Sequence, residues 1–425
     1  MAVGQSHACR TRCARLGYAG VVLMSADPQD EGFTRKHKAK VIQHPAASGS
    51  DLICKADGSM VPCLQNAVAI LESEPEWIGR LRLDEFAQVI LLDGHPIEDV
   101  DASEINLAIG RSHGGAQFKT PIIFEALAVS AHRHRIHPVR EYLDGLHWDQ
   151  TPRLDTWLAD TFDCPQTDYA RAIGANTLIS AVARIMRPGC QVDTMLILEG
   201  NQGIGKSKAL RTLFGIGWYT ETTEKPGTKD FYQALRGKWC LELAELDSLR
   251  GADISRVKQV LSATSDNYRP SYGRFSRDFP RSNIFIGTTN EDHYLSDPSG
   301  ARRFWPLLCR GVNQDYLARM RDQLWAEATH RYLAGDSWHI VPADDARAEQ
   351  DARYDADVWE EPIRLWLITH PYEATMASIM GECLGIERGR QGRGEQTRVG
   401  KILRRLGYVK IRAKTGERGY FYQKQ

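Results

Sequence analysis

One run, Thr194-Met195-Leu196-Ile197-Leu198-Glu199-Gly200-Asn201-Gln202-Gly203-Ile204-Gly205-Lys206-Ser207, restricts this chain more than any other. Met195 to Leu198 is a short apolar stretch of the kind a buried parallel strand uses. Gly200-x4-Gly205-Lys206-Ser207 follows it and opens into helix-forming residues. Strand, glycine loop and helix in that order form an anion cradle: the glycines let successive N–H groups converge, and the new helix adds its positive end. The spacing predicts a triphosphate there, held by Gly200, Asn201, Gln202, Gly203, Ile204 and Gly205. Lys206 should reach the terminal phosphates, and the Ser207 hydroxyl should ligate Mg2+. ATP and Mg2+ are the expected ligands.

A chain of 425 residues has room for two or three domains. Its formal charge is zero, yet an acidic stretch near residue 350 precedes a strongly basic C-terminus, so the sum does not argue against a nucleic-acid partner. No apolar run approaches the roughly 20 residues that span a bilayer, and the N-terminus lacks a signal-peptide pattern. The expectation is a cytoplasmic protein without a membrane partner. Nine scattered cysteines read as reduced thiols; a zinc site from Cys9, Cys13, Cys54 and Cys63 lacks the tight two-residue spacing.

Past the loop, Trp239-Cys240-Leu241-Glu242-Leu243-Ala244-Glu245-Leu246 reads as a second buried strand delivering an acid beside Mg2+. With a period of two, Glu242 and Glu245 point to opposite faces. Glu245 is favoured because it stands at the C-terminal end of the run, where ligands collect in open α/β sheets; Glu242 is the second candidate, or a structural ion-pair partner. Asn283 to Asn290 is another β-type run, and Asn290 at its tip suits a γ-phosphate or water sensor. Gly300-Ala301-Arg302-Arg303-Phe304-Trp305-Pro306 sets two arginines beside an aromatic anchor, and an arginine supplied in trans would make the active form a ring.

Around this core the sequence reads as five segments: an arm of low order (1–60), a mainly helical flank (61–187), the α/β nucleotide core with a parallel sheet (188–340), an acidic helical connector (341–361) and a C-terminal unit (362–425). In that last unit three helices precede two strands, the layout of a winged helix. Arg398, Lys401, Arg404, Arg405, Arg412 and Lys414 fall where DNA would be met; the alternative is a protein-interaction module. Within the core, Arg269, Tyr272, Arg274 and Arg277 lie on a loop that either grips a nucleic-acid backbone or pairs with local acids. The phrase His137-Pro138-Val139-Arg140 to Trp148-Asp149 reads as scaffold: a helix started after proline, a glycine turn and an anchoring tryptophan.

That phrase, the glycine loop, Glu242-Leu243-Ala244-Glu245-Leu246 and Gly300 to Pro306 together resemble the virulence-associated protein E family, phage- and island-encoded P-loop ATPases related to superfamily 3 and poxvirus-type primase-helicases. The likeness covers about residues 85 to 310. It implies an AAA+-type core, a hexameric ring and ATP-driven unwinding or translocation of single-stranded or forked DNA in mobile-element replication. By the same resemblance Glu245 matches the strand-end acid, Asn290 the sensor and Arg302 or Arg303 the finger. Larger relatives carry a primase-polymerase domain upstream. Residues 1 to 60 are too short for one, so priming is expected from a separate primase or host replication protein. Two further readings stay open: an ATP-switched initiator or helicase loader that binds DNA without unwinding it, and an ATPase acting on protein in phage interference.

Overall fold

The computed structural model describes residues 52–222, 224–244, 246, 251–268, 276–291, 294, 301–354, 357–371, 374–412 and 420–424. Among them no helix is long and apolar enough to cross a membrane. The fold is α/β, with one parallel sheet and many helices.

The first part combines helices α1 (Leu64–Ser73), α2 (Asp99–Ser112) and α3 (Thr120–Arg133) with strands β1 (Leu81–Asp84), β2 (Val89–Leu92), β3 (His95–Pro96) and β4 (Arg135–Ile136). The strands form a small sheet in the order β3-β2-β1-β4, with β1 antiparallel to β2 and parallel to β4. Ile70, Leu71, Leu81, Ile105 and Leu127 fill the core between sheet and helices. The flank is therefore less purely helical than its periodicity suggests: two of these strands have only two residues, too few to show an alternation.

Helices α4 (Pro138–Asp144), α5 (Trp157–Phe162) and α6 (Asp168–Met186) lead into the central sheet. That sheet consists of β5 (Met195–Glu199), β6 (Tyr219–Thr222), β7 (Cys240–Leu243), β10 (Ile284–Thr289) and β11 (Phe304–Leu308), in the order β11-β5-β10-β7-β6 and parallel throughout. Between the strands lie α7 (Lys206–Phe214), α8 (Lys229–Ala234) and α9 (Gly251–Ser262), and the antiparallel pair β8 (Ser265–Tyr268) and β9 (Arg277–Pro280). Every residue of β5, β7 and β10 is buried, so apolar residues follow one another without alternation, and the polar Glu199, Glu242, Thr288 and Thr289 are buried with them.

Helix α10 (Gln314–Leu333) runs beside α6 and α7. The Trp148-Asp149 phrase is stitched to it. Tyr142 donates to Asp322 (2.5 Å), the Asp149 N–H to Gln323 (2.9 Å), and Glu327 accepts from the N–H groups of Arg153 and Leu154 (2.6 and 3.0 Å). Glu327 is buried, so these two main-chain donors stand in for water at its carboxylate.

After α11 (Ala343–Ala352) the chain builds a separate small core. Helix α12 (Glu360–Thr369), α13 (Met376–Ser378) continuing as a π-helix (Ile379–Cys383), α14 (Arg393–Arg405) and the antiparallel pair β12 (Tyr408–Arg412) and β13 (Tyr420–Lys424) enclose Ile363, Leu367, Ile379, Ile402 and Leu403.

Candidate functional site

The glycine loop leaves the C-terminal end of β5 with left-handed backbone at Gly203 (φ 84°) and Gly205 (φ 101°), and with φ 135° at Gly200. A Cβ at Gly200 would stand 2.4 Å from the carbonyl oxygen of Cys309, so a side chain is excluded by contact as well as by conformation. Asn201, Gln202 and Gly203 are exposed, Ile204 and Gly205 half-buried, and Gly205 is the N-cap of α7.

Lys206 is the first residue of α7 and is only 7 % exposed. Its Nζ donates to the carbonyls of Gly200 (2.5 Å) and Asn201 (3.1 Å) and to Oδ1 of Asn290 (3.1 Å). Burial pushes its pKa down, and the nearby Glu242 carboxylate offsets only part of that. Asn290 reaches the lysine because β10 pairs directly with β5, bringing Thr289 level with Glu199.

Glu242 is fully buried on β7. Three hydroxyls serve it: Ser207 and Thr288 donate to Oε1, each at 2.7 Å, and Tyr219 donates to Oε2. The acid meeting the serine of the loop is thus Glu242, the second candidate of the sequence reading. Glu245 lies outside the described residues. Arg302 and Arg303 sit in a 3-10 turn before β11, exposed and half-buried, with Arg303 donating to the Ser262 hydroxyl (3.2 Å). Among the described residues, neither arginine hydrogen-bonds to the loop of its own chain.

Sequence reasoning missed several groups. Tyr219 and Thr288 come from the strands flanking β7, and only the strand order reveals that both face Glu242. Gln314, at the start of α10, donates to the Gly205 carbonyl (2.9 Å), while its own Oε1 is buried without a partner among the described residues. Glu199, immediately before the loop, is clamped by Arg353, whose Nε and Nη2 lie 2.9–3.0 Å from the carboxylate, and by the Tyr294 hydroxyl (2.6 Å). Burial pushes the Glu199 pKa up, against the pull of Arg353.

The basic residues divide. Arg269, Tyr272, Arg274 and Lys414 lie outside the described residues. Arg277 donates to the Gln88 side chain and lies over the Phe279 ring at 4.7 Å. On α14, Arg398 pairs with Asp357 (2.6 Å) and covers Trp359, and Arg405 bonds Glu360 (3.1 Å) and covers Tyr354. Lys401, Arg404 and Arg412 are exposed. No group of three or more His, Cys, Asp or Glu side chains arranged for a metal occurs among the described residues; Cys54 and Cys63 are free thiols.

No curated protein matches the chain. Among solved structures, the apo C-terminal region of NrS-1 (305–718) is 10% identical with a TM-score of 0.47, the comparison covering 80% of this chain and 95% of that one. Its A form is 11% identical with a TM-score of 0.44, over 81% of this chain and 95% of that one. The family model of the virulence-associated protein E-like domain matches residues 143–356, just over half of the chain.

Proposed function

The chain belongs to the virulence-associated protein E-like family, and on that premise we propose that it is a ring-forming, ATP-dependent DNA helicase or translocase of superfamily 3 type, acting in the cytoplasm in the replication of a phage, prophage or mobile island. The observation that carries the reading is the convergence of Lys206 and Ser207 from the helix after the loop with Glu242 of β7 and Asn290 at the tip of the adjacent parallel strand β10. A P-loop serine against a buried acid, with a polar residue on the intervening strand tip, is the constellation phosphoanhydride hydrolysis requires.

The order β11-β5-β10-β7-β6, with one strand inserted between the loop strand and the acid strand, supports an AAA+-type core. The all-oxygen pair Ser207 and Glu242 fits Mg2+, which prefers oxygen donors and would neutralise charge on the β- and γ-phosphates. Lys206 is already poised at the loop and would exchange the Gly200 and Asn201 carbonyls for phosphate oxygens. Arg302 or Arg303 would act on the site of a neighbouring copy. The three helices and two strands of the C-terminal unit support a winged helix in which Lys401, Arg404 and Arg412 meet DNA. A separate primase or host replication protein is the expected partner.

The test is DNA-stimulated ATPase and strand displacement on a forked duplex, with the unsubstituted chain and Lys206→Ala. Both activities are expected in the first and absent in the second. A chain that hydrolyses ATP yet separates no fork at any salt or nucleotide condition would rule out unwinding.

A further inference from the structure

The central strands are parallel, so the C-terminal and N-terminal ends of the sheet differ. The glycine loop leaves the C-terminal end, whereas Lys238 and Asn283 precede β7 and β10 at the N-terminal end. There a cavity of about 270 Å3 opens between the β1–β2 turn, α4 and the segments entering those strands. At about 3.3 Å per residue, the length of β10 puts it roughly 20 Å from the loop. It is a different place from the site above.

Its charges are unbalanced. Arg140, Arg236 and Lys238 line it, and among the described residues the side chain of each is held by main-chain carbonyls alone: Arg140 by Ile185 (3.0 Å), Arg236 by Ala87 and Gln88 (3.4 and 3.0 Å), Lys238 by Gly217 (3.0 Å). The lining acids already have partners, Glu85 in Arg135 (3.1 Å) and Asp266 in Arg281. His137, also in the lining, is held toward its neutral form by burial and by Arg140. The cavity therefore offers three cations to an anion.

Two of its lining residues also carry buried polar atoms without a hydrogen-bond partner among the described residues. Asn283 is 5 % exposed; its amide donates to Leu235 (3.4 Å), but among the described residues its Oδ1 has no partner, and neither has the buried Nε of Arg236. Buried polar atoms left open are uncommon, and a ligand that satisfies them recovers their desolvation. Arg236 Nε needs an acceptor and Asn283 Oδ1 needs a donor. An anion without hydroxyl or amine groups meets only the first need. Phe86, Tyr232 and Phe279 add ring surface to the wall.

We propose that this cavity binds a mononucleotide, its phosphate matched to Arg140, Arg236 and Lys238 and an amine or hydroxyl of its base or sugar matched to Asn283. The β1–β2 turn and the foot of β9 both border the cavity, so an occupant touches the first unit and the β8–β9 pair together.

The experiment is calorimetric titration of the full chain, unsubstituted and carrying Lys206→Ala, with AMP, with inorganic phosphate and with a 5′-phosphorylated oligonucleotide. The proposal expects one AMP per chain with the same affinity in both proteins, and weaker binding of phosphate. Lys238→Gln should lower AMP affinity about tenfold or more, the loss of one charge-assisted bond. Arg140→Gln, read at an unchanged melting temperature, is the second variant should the first fail to fold. No AMP binding at millimolar concentration overturns the proposal. So does AMP binding that disappears with Lys206→Ala, which would belong to the glycine loop, or binding of the oligonucleotide without AMP, which would make the cavity a nucleic-acid contact.

Discussion

Arg353→Met tests how the connector is fixed to the base of the glycine loop. The Glu199 carboxylate is 3 % exposed and Arg353 supplies charge-assisted bonds from two nitrogens; without them, among the described residues, only the Tyr294 hydroxyl remains. Stranding a buried carboxylate in this way costs about 3–5 kcal/mol, whereas replacing both members of a buried pair by neutral groups is often nearly neutral. The double variant Glu199→Gln/Arg353→Met should therefore lose about 1 kcal/mol or less. Glu349, the other partner of Arg353, is 40 % exposed and adds little. Burial holds the Glu199 pKa above its ordinary value even with Arg353 present, so the stability linked to this group is complete below the normal carboxylate range and declines as pH rises through the raised value. Removing Arg353 raises it further. The deficit of Arg353→Met should consequently be largest near neutral pH and shrink as pH falls and Glu199 takes up a proton. Urea unfolding followed by tryptophan fluorescence reads this, since Trp157, Trp239, Trp305 and Trp325 are all buried. A single variant no less stable than the double at neutral pH, or a deficit that does not change on acidification, would refute the reasoning.

Because burial lowers the Lys206 pKa, the free protein sheds that proton as pH rises before an exposed lysine would; phosphate oxygens would restore it, so ATP binding in the alkaline range should take up protons. Calorimetry in buffers of different ionisation enthalpy checks this, and heats independent of the buffer would contradict it. Gly200→Ala should destabilise the loop by about 1–3 kcal/mol and weaken nucleotide binding, since the new methyl would meet the Cys309 carbonyl; an unchanged melting curve and affinity would show that the loop yields there. On α14, Lys401→Ala and Arg404→Ala should each lower DNA affinity and reduce the salt slope by about 1. Arg398→Ala should act mainly on the stability of the C-terminal unit, because its charge is already paired; equal salt slopes for all three variants would contradict the division.

The central strands were legible because full burial removes the alternation: Met195 to Leu198, Trp239 to Leu243 with Glu242 as its one polar residue, and Ile284 to Ile286 announce themselves. The loop was legible because few residues other than glycine accept its backbone. Which carboxylate meets Ser207 was not. A period of two separates Glu242 from Glu245 but does not say which face the helix covers, and Tyr219 and Thr288 enter only once the strand order is known. Helix α14 begins at Arg393, earlier than the apolar pattern from Val399 indicates, since its first turns are exposed and polar. The fate of the arginines was equally hidden: Arg398 and Arg405 read as DNA contacts by composition, and only tertiary structure assigns them to Asp357 and Glu360.

Those same ion pairs form a graded series. Arg398 with Asp357 is 42 and 22 % exposed, Arg405 with Glu360 22 and 14 %, and Arg353 with Glu199 15 and 3 %. Dissolved ions screen an exposed pair far more than a buried one. Raising ionic strength should therefore loosen the hold of α14 on the start of α12, within the C-terminal unit, while the Arg353–Glu199 pair at the loop stays closed. Salt thus acts on the seat of the basic helix inside its own unit before the strand end at Glu199 responds.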